Sequence, residues 1–130
     1  MDSVSEQKII NLVHSDPRFT REAYCFVTDA VTFTVSRLDS HRHVTARELL
    51  EGMRDFAAQE YGVIAPEVLH SWGIRSASDI GDLVYALIGV ELLAASPGDK
   101  RSDFDIDFDP APHQELPVDP LPAFALPKID

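Results

Sequence analysis

The sequence predicts a mainly α-helical protein: a compact bundle of about five helices that ends in a β-hairpin and continues as an extended proline-rich tail. Three observations support this fold class. Apolar residues recur at helical spacing over most of the chain before the turn signal SPGDK, and strict alternation of apolar and acidic residues follows that turn. Six of the nine prolines then fall within residues 110–127. We therefore expect one helical domain, 1–109, and an arm, 110–130.

Composition limits the class of protein before any element is considered. A chain of 130 residues with 45% hydrophobic residues is long enough for one domain with one core. No run of 18 apolar residues predicts a membrane span, and the start MDSVSEQK lacks the features of a secretory signal. Cys25 is the single cysteine, so no intrachain disulfide forms. These features predict a cytoplasmic protein.

The net charge of −11 is unevenly distributed along the chain. Residues 1–75 hold 11 acidic and 8 basic side chains, whereas residues 76–130 hold 11 acidic and 3 basic ones. Binding to phosphates needs a basic stripe that releases counterions. Nucleic acid is therefore an unfavourable partner, and a protein with a basic surface is a better one.

The first two helices have recognisable starts. Ser3 and Glu6 form the pattern of a capping box, and Asp16-Pro17 ends the short helix that follows. Thr20 is the expected N-cap of the second helix, which is apolar around its middle and should be the most buried. Its apolar face consists of Ala23, Phe26, Val27, Ala30, Val31 and Thr34.

Three further helices follow from the same signals. Thr45 and Glu48 predict a capping box for the third helix, and Gly62 stands where a C-terminal glycine ends it. Pro66 suits the first turn of a short helix that Gly73 terminates. Ser76 or Ser78 then caps a last helix, whose apolar stripe consists of Ile80, Leu83, Val84, Leu87, Ile88 and Leu92.

The segments ELLAA and DFDIDF, on either side of SPGDK, predict a hairpin. Alternation with a period of two would turn Phe104, Ile106 and Phe108 to the core. The side chains on the opposite face of the strand would then point to water: Asp103, Asp105, Asp107 and Asp109. Their like charges would discourage edge-to-edge pairing. The same four aspartates are also a candidate docking surface for a basic partner. A calcium loop is the third interpretation, but its required glycine and glutamate positions hold Phe and Gln.

The arm is too rich in proline for a helix or a central strand and should be extended. It also carries more apolar residues than a simple linker, and Leu121, Phe124 and Leu126 are its candidate partner-binding residues. Docking in a groove or addition to a sheet would suit such a segment, on its own domain, on a partner, or on a second copy in a homo-oligomer.

Two resemblances follow from these segments. The stretch WGIRSASDIGDLVYALI, followed by the expected hairpin, resembles the order of a winged-helix domain. The stretches EAYCFVTDAVTFT, HVTARELLEGMRDFAAQEYG, APEVLHSWGI and SASDIGDLVYALIGVELL resemble a family of small uncharacterised bacterial proteins known mainly from Planctomycetes and Verrucomicrobia. That resemblance covers roughly residues 18–108 and implies a mostly helical fold, but no activity, cofactor or catalytic residue.

Individual residues suggest chemistry only weakly. Asp39, His41 and His43 offer three metal ligands, but their spacing is not that of a zinc site, and surface histidines are the favoured interpretation. Cys25 lies between Tyr24 and Phe26 and is interpreted as a packing residue because no electropositive surroundings are evident.

The charged and aromatic residues of the helices have similarly plain interpretations. Arg47 and Arg54 share a helix face with acidic neighbours, which indicates a mixed solvated face; the alternative is a basic face that receives an acidic partner or the protein's own tail. Trp72, before a terminating Gly, is interpreted as a core anchor. Asp79 is interpreted as stabilising a helix N-terminus.

The sequence thus favours a non-catalytic protein-interaction module, with the acidic hairpin and the arm as docking elements. No nucleotide loop, nucleophile elbow or paired-carboxylate motif indicates an enzyme or a cofactor. A helix-turn-helix regulator that binds DNA is the first alternative, although Asp79 and Asp82 would repel phosphates. An acidic mimic or divalent-cation-binding protein is the second alternative.

Overall fold

The structure is a computed structural model that describes residues 2–38, 44–96 and 98–111. These residues form α1 (Ser3–Ser15), α2 (Arg21–Ser36), α3 (Ala46–Tyr61), α4 (Ala65–Ser71) and α5 (Ala77–Gly89), with 3₁₀ helices at Gly62–Ile64 and Arg101–Phe104. The predicted mainly helical class is confirmed. Four of the described α-helices have 13 or more residues, and the expected number of about five is reached only by counting the seven-residue α4.

Most helix starts lie where the sequence predicts them. The side chains of Thr20, Thr45 and Ser76 each accept a hydrogen bond from the backbone N–H three residues further on. The capping box predicted at Ser3 is wrong, because Asp2 is the N-cap of α1 and its Oδ1 accepts at 2.8 Å from the N–H three residues later. A carboxylate next to the positive helix end is a strong acceptor, which explains the shift by one residue.

Helices α2 and α3 form the central pair and run antiparallel. Gly52 lies against Thr34, so close that a Cβ on Gly52 would meet the Thr34 Oγ1 at 2.0 Å. Thr34 is buried, and its hydroxyl donates to the carbonyl oxygen of Ala30 at 2.8 Å, so its polar atom is satisfied inside the helix. Around this pair, α1 and α5 pack on α2, whereas α4 packs on α3.

The core lies where α2, α3 and α5 meet, with α1 and α4 closing its sides. Its fully buried large side chains come from every α-helix and from the loops that follow α1 and α4: Ile9, Phe19, Tyr24, Val27, Leu50, Met53, Leu69, Ile74, Ile80, Leu83 and Leu87. The apolar stripes predicted for α2 and α5 supply four of these eleven side chains: Val27, Ile80, Leu83 and Leu87. None of the helices in the described ranges has both the length and the apolar content that a bilayer span requires.

The predicted hairpin is wrong for the described residues 91–96 and 98–111, which contain no strand. Phe104 is buried with 4% exposure, but Ile106 is 38% exposed, so the two side chains do not share a buried strand face. The Asp103 carboxylate accepts from the Lys100 backbone N–H at 3.1 Å and closes the turn of a 3₁₀ helix. Aspartate favours such local bonds to the backbone, which compete with a strand ladder.

The 3₁₀ helix Arg101–Phe104 is attached to α5 by hydrogen bonds of the Arg101 side chain. The guanidinium donates to Asp82 Oδ1 at 2.7 Å, to both the carbonyl oxygen and Oγ of Ser78 at 2.8 Å, and to Asp105 Oδ1 at 2.8 Å. Gly81 permits this approach, because a Cβ there would lie 2.9 Å from an Arg101 nitrogen. Residues 98–111, called the C-terminal segment below, are thus held on the helical core by directed hydrogen bonds, without a strand partner among the described residues.

Candidate functional site

A cleft of about 150 Å³ opens between the first half of α2, the last turns of α3 and the turn after α4. Four aromatic rings and one thiol form its wall, and three carboxylates stand at its rim. We call it the acidic aromatic cleft; its residues are Glu22, Cys25, Phe26, Asp29, Phe56, Glu60, Tyr61 and Trp72.

The aromatic wall is a connected set of rings. The Phe26 ring centroid lies 5.6 Å from that of Phe56 and 5.7 Å from that of Trp72. Tyr61 meets Trp72 edge to face, with centroids 5.6 Å apart and planes at 81°. Phe26 is buried, while the other three rings are half-buried and present part of their surface to the cleft. Ring faces carry partial negative charge and attract cations.

The turn after α4 fixes the position of Trp72. Its carbonyl oxygen accepts from the Thr20 backbone N–H at 3.2 Å, which ties the turn to the start of α2. Gly73 has a φ of 97°, and a Cβ on it would lie 2.1 Å from the carbonyl oxygen of Arg18. Only glycine suits both constraints. The backbone therefore holds the indole next to Phe26, as the interpretation of Trp72 as an anchor predicts.

The rim carries three exposed carboxylates: Glu22, Asp29 and Glu60. Glu22 and Asp29 are seven residues apart, two turns of α2, and so project from the same face. Within the described residues, none of the three forms an ion pair with a basic side chain, whereas Glu6, Asp16, Asp55 and Asp82 do. The rim is therefore a concentration of negative charge that no ion pair with a described basic side chain neutralises.

Burial and this negative charge shape the titration of the cleft. Burial raises the pKa of the Tyr61 phenol, and the nearby Glu60 and Asp29 raise it further. Burial also raises the pKa of the Cys25 thiol, although Arg21 opposes the effect. Cys25 is half-buried and stays a neutral thiol near pH 7, so the cleft favours holding a cation over presenting a thiolate nucleophile.

The four aspartates expected to face a partner mostly serve their own segment. The Asp103 carboxylate closes the 3₁₀ turn, Asp105 pairs with Arg101 at 2.8 Å, and Asp109 Oδ1 accepts from the Ala111 backbone N–H at 2.9 Å. The hydrogen bond from Arg101 lowers the pKa of Asp105. Asp107 is exposed. Their role in binding a partner stays a prediction.

The face of α3 that carries Arg47 and Arg54 receives the protein's own C-terminal segment. Their guanidinium carbons lie 5.3 and 4.5 Å from the ring centroid of Phe108. Arg47 also pairs with Glu51 at 3.3 Å, four residues on, as the mixed-face interpretation predicts. The mixed face is confirmed by this ion pair, whereas binding of an acidic partner or of the protein's tail to this face stays a prediction.

The metal and arm predictions fall largely outside the described residues. Asp39, His41 and His43 lie there, and so do Leu121, Phe124 and Leu126. Among the residues that are described, no group of three His, Cys, Asp or Glu side chains is close enough to hold a metal ion.

Helices α4 and α5 have the order of a helix-turn-helix, but the expected wing is not formed by the described residues. The main contacts of α4 are with α3, and those of α5 are with α2 and the 3₁₀ helix. Asp79 Oδ2 accepts from the Arg75 backbone N–H at 2.9 Å. Asp79 lies in the first turn of α5, as predicted, and its stabilisation of the helix N-terminus through the macrodipole stays a prediction.

Sequence reasoning missed the rim of the acidic aromatic cleft. Its α2 residues 22, 25, 26 and 29 follow the spacing of one helix face, in which acidic and aromatic residues mix. That pattern was a usable signal. The contribution of Glu60 and Phe56 could not be read in the same way, because it depends on which part of α3 packs beside this face of α2.

Comparison with protein-family models, curated proteins and solved structures finds no match for this chain. The resemblance to the bacterial family of residues 18–108 therefore stays a prediction. The acidic aromatic cleft is the feature from which a function is inferred.

Proposed function

We propose that the protein is a non-catalytic interaction module that binds a basic side chain of a partner protein in the acidic aromatic cleft. The observation that supports this proposal is the combination of four aromatic rings with three carboxylates around one concave surface. An arginine or lysine head group is small enough for about 150 Å³, and both wall and rim attract it.

Two favourable contacts act on the same cation. A guanidinium over an aromatic face contributes about 0.5–1 kcal/mol when exposed and about 2 kcal/mol when desolvated. A carboxylate at a partly exposed rim adds about 0.2–1 kcal/mol. Arginine suits the cleft better than lysine because its planar group stacks on rings while its N–H groups donate to carboxylates.

The charge of the whole chain supports the same partner chemistry. A net charge of −11 attracts basic proteins over long distances and raises their rate of encounter. The predicted docking role of Asp103, Asp105 and Asp109 is less favourable than the cleft, because their carboxylates already bind groups of their own segment. We therefore place the principal contact on α2, α3 and Trp72.

Trp72 makes the proposal testable, because it is the only tryptophan in the chain and lies in the cleft wall. The probe is a short glycine-rich peptide with one central arginine, compared with the same peptide in which citrulline, a neutral isostere, replaces arginine. We expect the arginine peptide to change Trp72 fluorescence with a Kd on the order of 1 mM, which corresponds to a binding free energy of about −4 kcal/mol. Citrulline should bind at least about fivefold more weakly, because it lacks the charge.

Charge-removing variants locate the binding. Asp29→Asn and Glu60→Gln should each weaken binding of the arginine peptide by about two- to fivefold. Asp107→Asn is the matched control, since it removes one exposed carboxylate outside the cleft and should leave Kd unchanged. Equal binding of both peptides contradicts the proposal. An Asp107→Asn effect as large as that of the cleft variants would move the site to the C-terminal segment.

A further inference from the structure

A second concave surface lies at the other end of the α2–α3 pair and differs in chemistry from the cleft. It has a volume of about 240 Å³ and is bounded by the end of α2, the start of α3, α5 and four residues after α5: Leu93, Ala94, Ser96 and Asp99. Val35, Leu49 and Ile88 are among its lining, and Phe104 also contributes to it. We call it the apolar groove.

The apolar groove leaves aliphatic surface in water. Val35 is 45% exposed, and Val31, one turn earlier on α2, is half-buried. The lining is mainly apolar but includes the polar side chains of Tyr85, Ser96 and Asp99, and the Asp99 carboxylate accepts from the Ser96 backbone N–H at 2.7 Å. A groove of this kind binds apolar side chains and offers little to a charged ligand.

We propose that residues 112–130 of the same chain cover the apolar groove. The described chain ends at Ala111, which is 4% exposed, so the arm starts from a residue that is anchored on the domain. Nineteen residues follow it. At about 3.1 Å per residue for a proline-rich chain, Leu121 can lie up to about 31 Å from Ala111. A domain of this size has a radius of gyration of about 13 Å, so the groove is within reach.

The sequence of the arm suits the groove. Val118, Leu121 and Phe124 are spaced by three residues, which is one turn of a polyproline II helix, so an extended arm would present them on one face. This row would bury the exposed aliphatic surface around Val35. Because proline restricts the free chain, less conformational entropy is lost when the arm docks.

The chain's own arm is favoured over that of a second copy for two reasons. Tethering gives the arm an effective concentration in the millimolar range, so even a weak contact is populated. A second copy, by contrast, carries the same net charge of −11 and is repelled. The inference does not depend on the acidic aromatic cleft, and either proposal can fail without the other.

Disulfide trapping in the full-length chain tests the inference. With Cys25→Ser as background, the pair Val35→Cys and Ala125→Cys places one thiol at the groove and one beside the predicted anchor Phe124. The control pair is Val63→Cys with Ala125→Cys, because Val63 is 60% exposed on the 3₁₀ helix after α3 and does not line the groove.

We expect at least about tenfold more intramolecular disulfide in the groove pair than in the control pair. Docking brings the two thiols of the groove pair within bonding distance, whereas a free tethered arm supplies only a millimolar effective concentration. Equal yields in both pairs overturn the proposal. Disulfide-linked dimers as the main product overturn it too, since the occupant would then be a second copy.

A second experiment substitutes only residues of the arm, so the sequence of the folded domain stays unchanged. Full-length Leu121→Asp/Phe124→Asp should uncover the groove and increase the fluorescence of the neutral apolar dye Nile red, with a change of at least about twofold if most arms are displaced. Ala123→Asp/Ala125→Asp adds the same charge at neighbouring positions and should give the wild-type signal. No difference between the two double variants contradicts the proposal.

Discussion

The acidic aromatic cleft and the apolar groove are carried by the same antiparallel helix pair, α2 and α3, yet they differ in chemistry. The cleft is completed by Trp72 and has three carboxylates that form no ion pair with a basic side chain of the described residues. The groove is completed by α5 and by the C-terminal segment. Arg101 of that segment donates hydrogen bonds to Asp82 of α5 and to Asp105 of the segment itself. The two ends of one helix pair thus present different side chains, and a different third element completes each concave surface.

The two regions also differ in how their charges are used. On α5, Asp82 accepts from both Arg18 and Arg101, and Arg101 also donates to Asp105. These bonds position the segment on α5. On the cleft side, the exposed carboxylates of Glu22, Asp29 and Glu60 are left for solvent or a ligand. Internal pairing therefore distinguishes carboxylates that support the fold from those available for binding.

The largest expected effect tests how the C-terminal segment is attached. Phe104→Ala should reduce the free energy of unfolding by about 3–5 kcal/mol, because a buried aromatic side chain is lost next to α5. Ile106→Ala, two residues on but 38% exposed, should cost less than about 1 kcal/mol. Urea denaturation followed by Trp72 fluorescence measures both values. Similar losses for the two variants would instead support the alternating strand and contradict the 3₁₀ arrangement.

A smaller effect is expected from the glycine contact between α5 and the segment. A Cβ at Gly81 would lie 2.6 Å from the Phe104 Cβ, so Gly81→Ala should destabilise the domain by about 1–3 kcal/mol through overpacking. Gly89, at the end of the same helix, has no heavy atom within 4 Å of such a Cβ. Gly89→Ala should stabilise by up to about 1 kcal/mol. Thermal unfolding of both variants tests this, and stabilisation by Gly81→Ala would show that the segment does not approach α5 closely.

The smallest effect concerns the titration of Cys25 on the cleft side. Since burial raises its pKa, alkylation by iodoacetamide should show a higher apparent pKa in the folded protein than in urea. The neutral thiol therefore contributes stability that is fully present below the unfolded pKa and is lost as the pH rises through the folded pKa. Only one cysteine reacts, so the rate is unambiguous.

The same alkylation experiment sharpens the comparison between the two regions. A cation bound in the cleft favours the thiolate, so the arginine peptide should lower the apparent pKa of folded Cys25. The citrulline peptide is the control and should leave it unchanged. A folded-state pKa equal to or below the unfolded one would contradict the burial of the thiol.

Local patterns predicted the helices well, because each start depends on residues within three positions of it. Thr20, Thr45 and Ser76 cap as expected, and the apolar stripe of α5 is the buried one. The strand predicted for the DFDIDFD segment is wrong for a related reason: its period of two produces a strand only when a partner strand is present. Without one among the described residues, Asp103 bonds to the local backbone and Arg101 binds α5.

The sequence by itself determined the helical class, most helix boundaries, the excess of negative charge and the change of composition at the arm, since these depend on residue type and short-range spacing. Only the tertiary structure decided that Phe26, Phe56, Tyr61 and Trp72 share one wall, and that Phe108 lies over Arg47 and Arg54. Those contacts join residues far apart in the chain, and their geometry follows from how α2 and α3 approach at Gly52 and how the chain turns at Gly73.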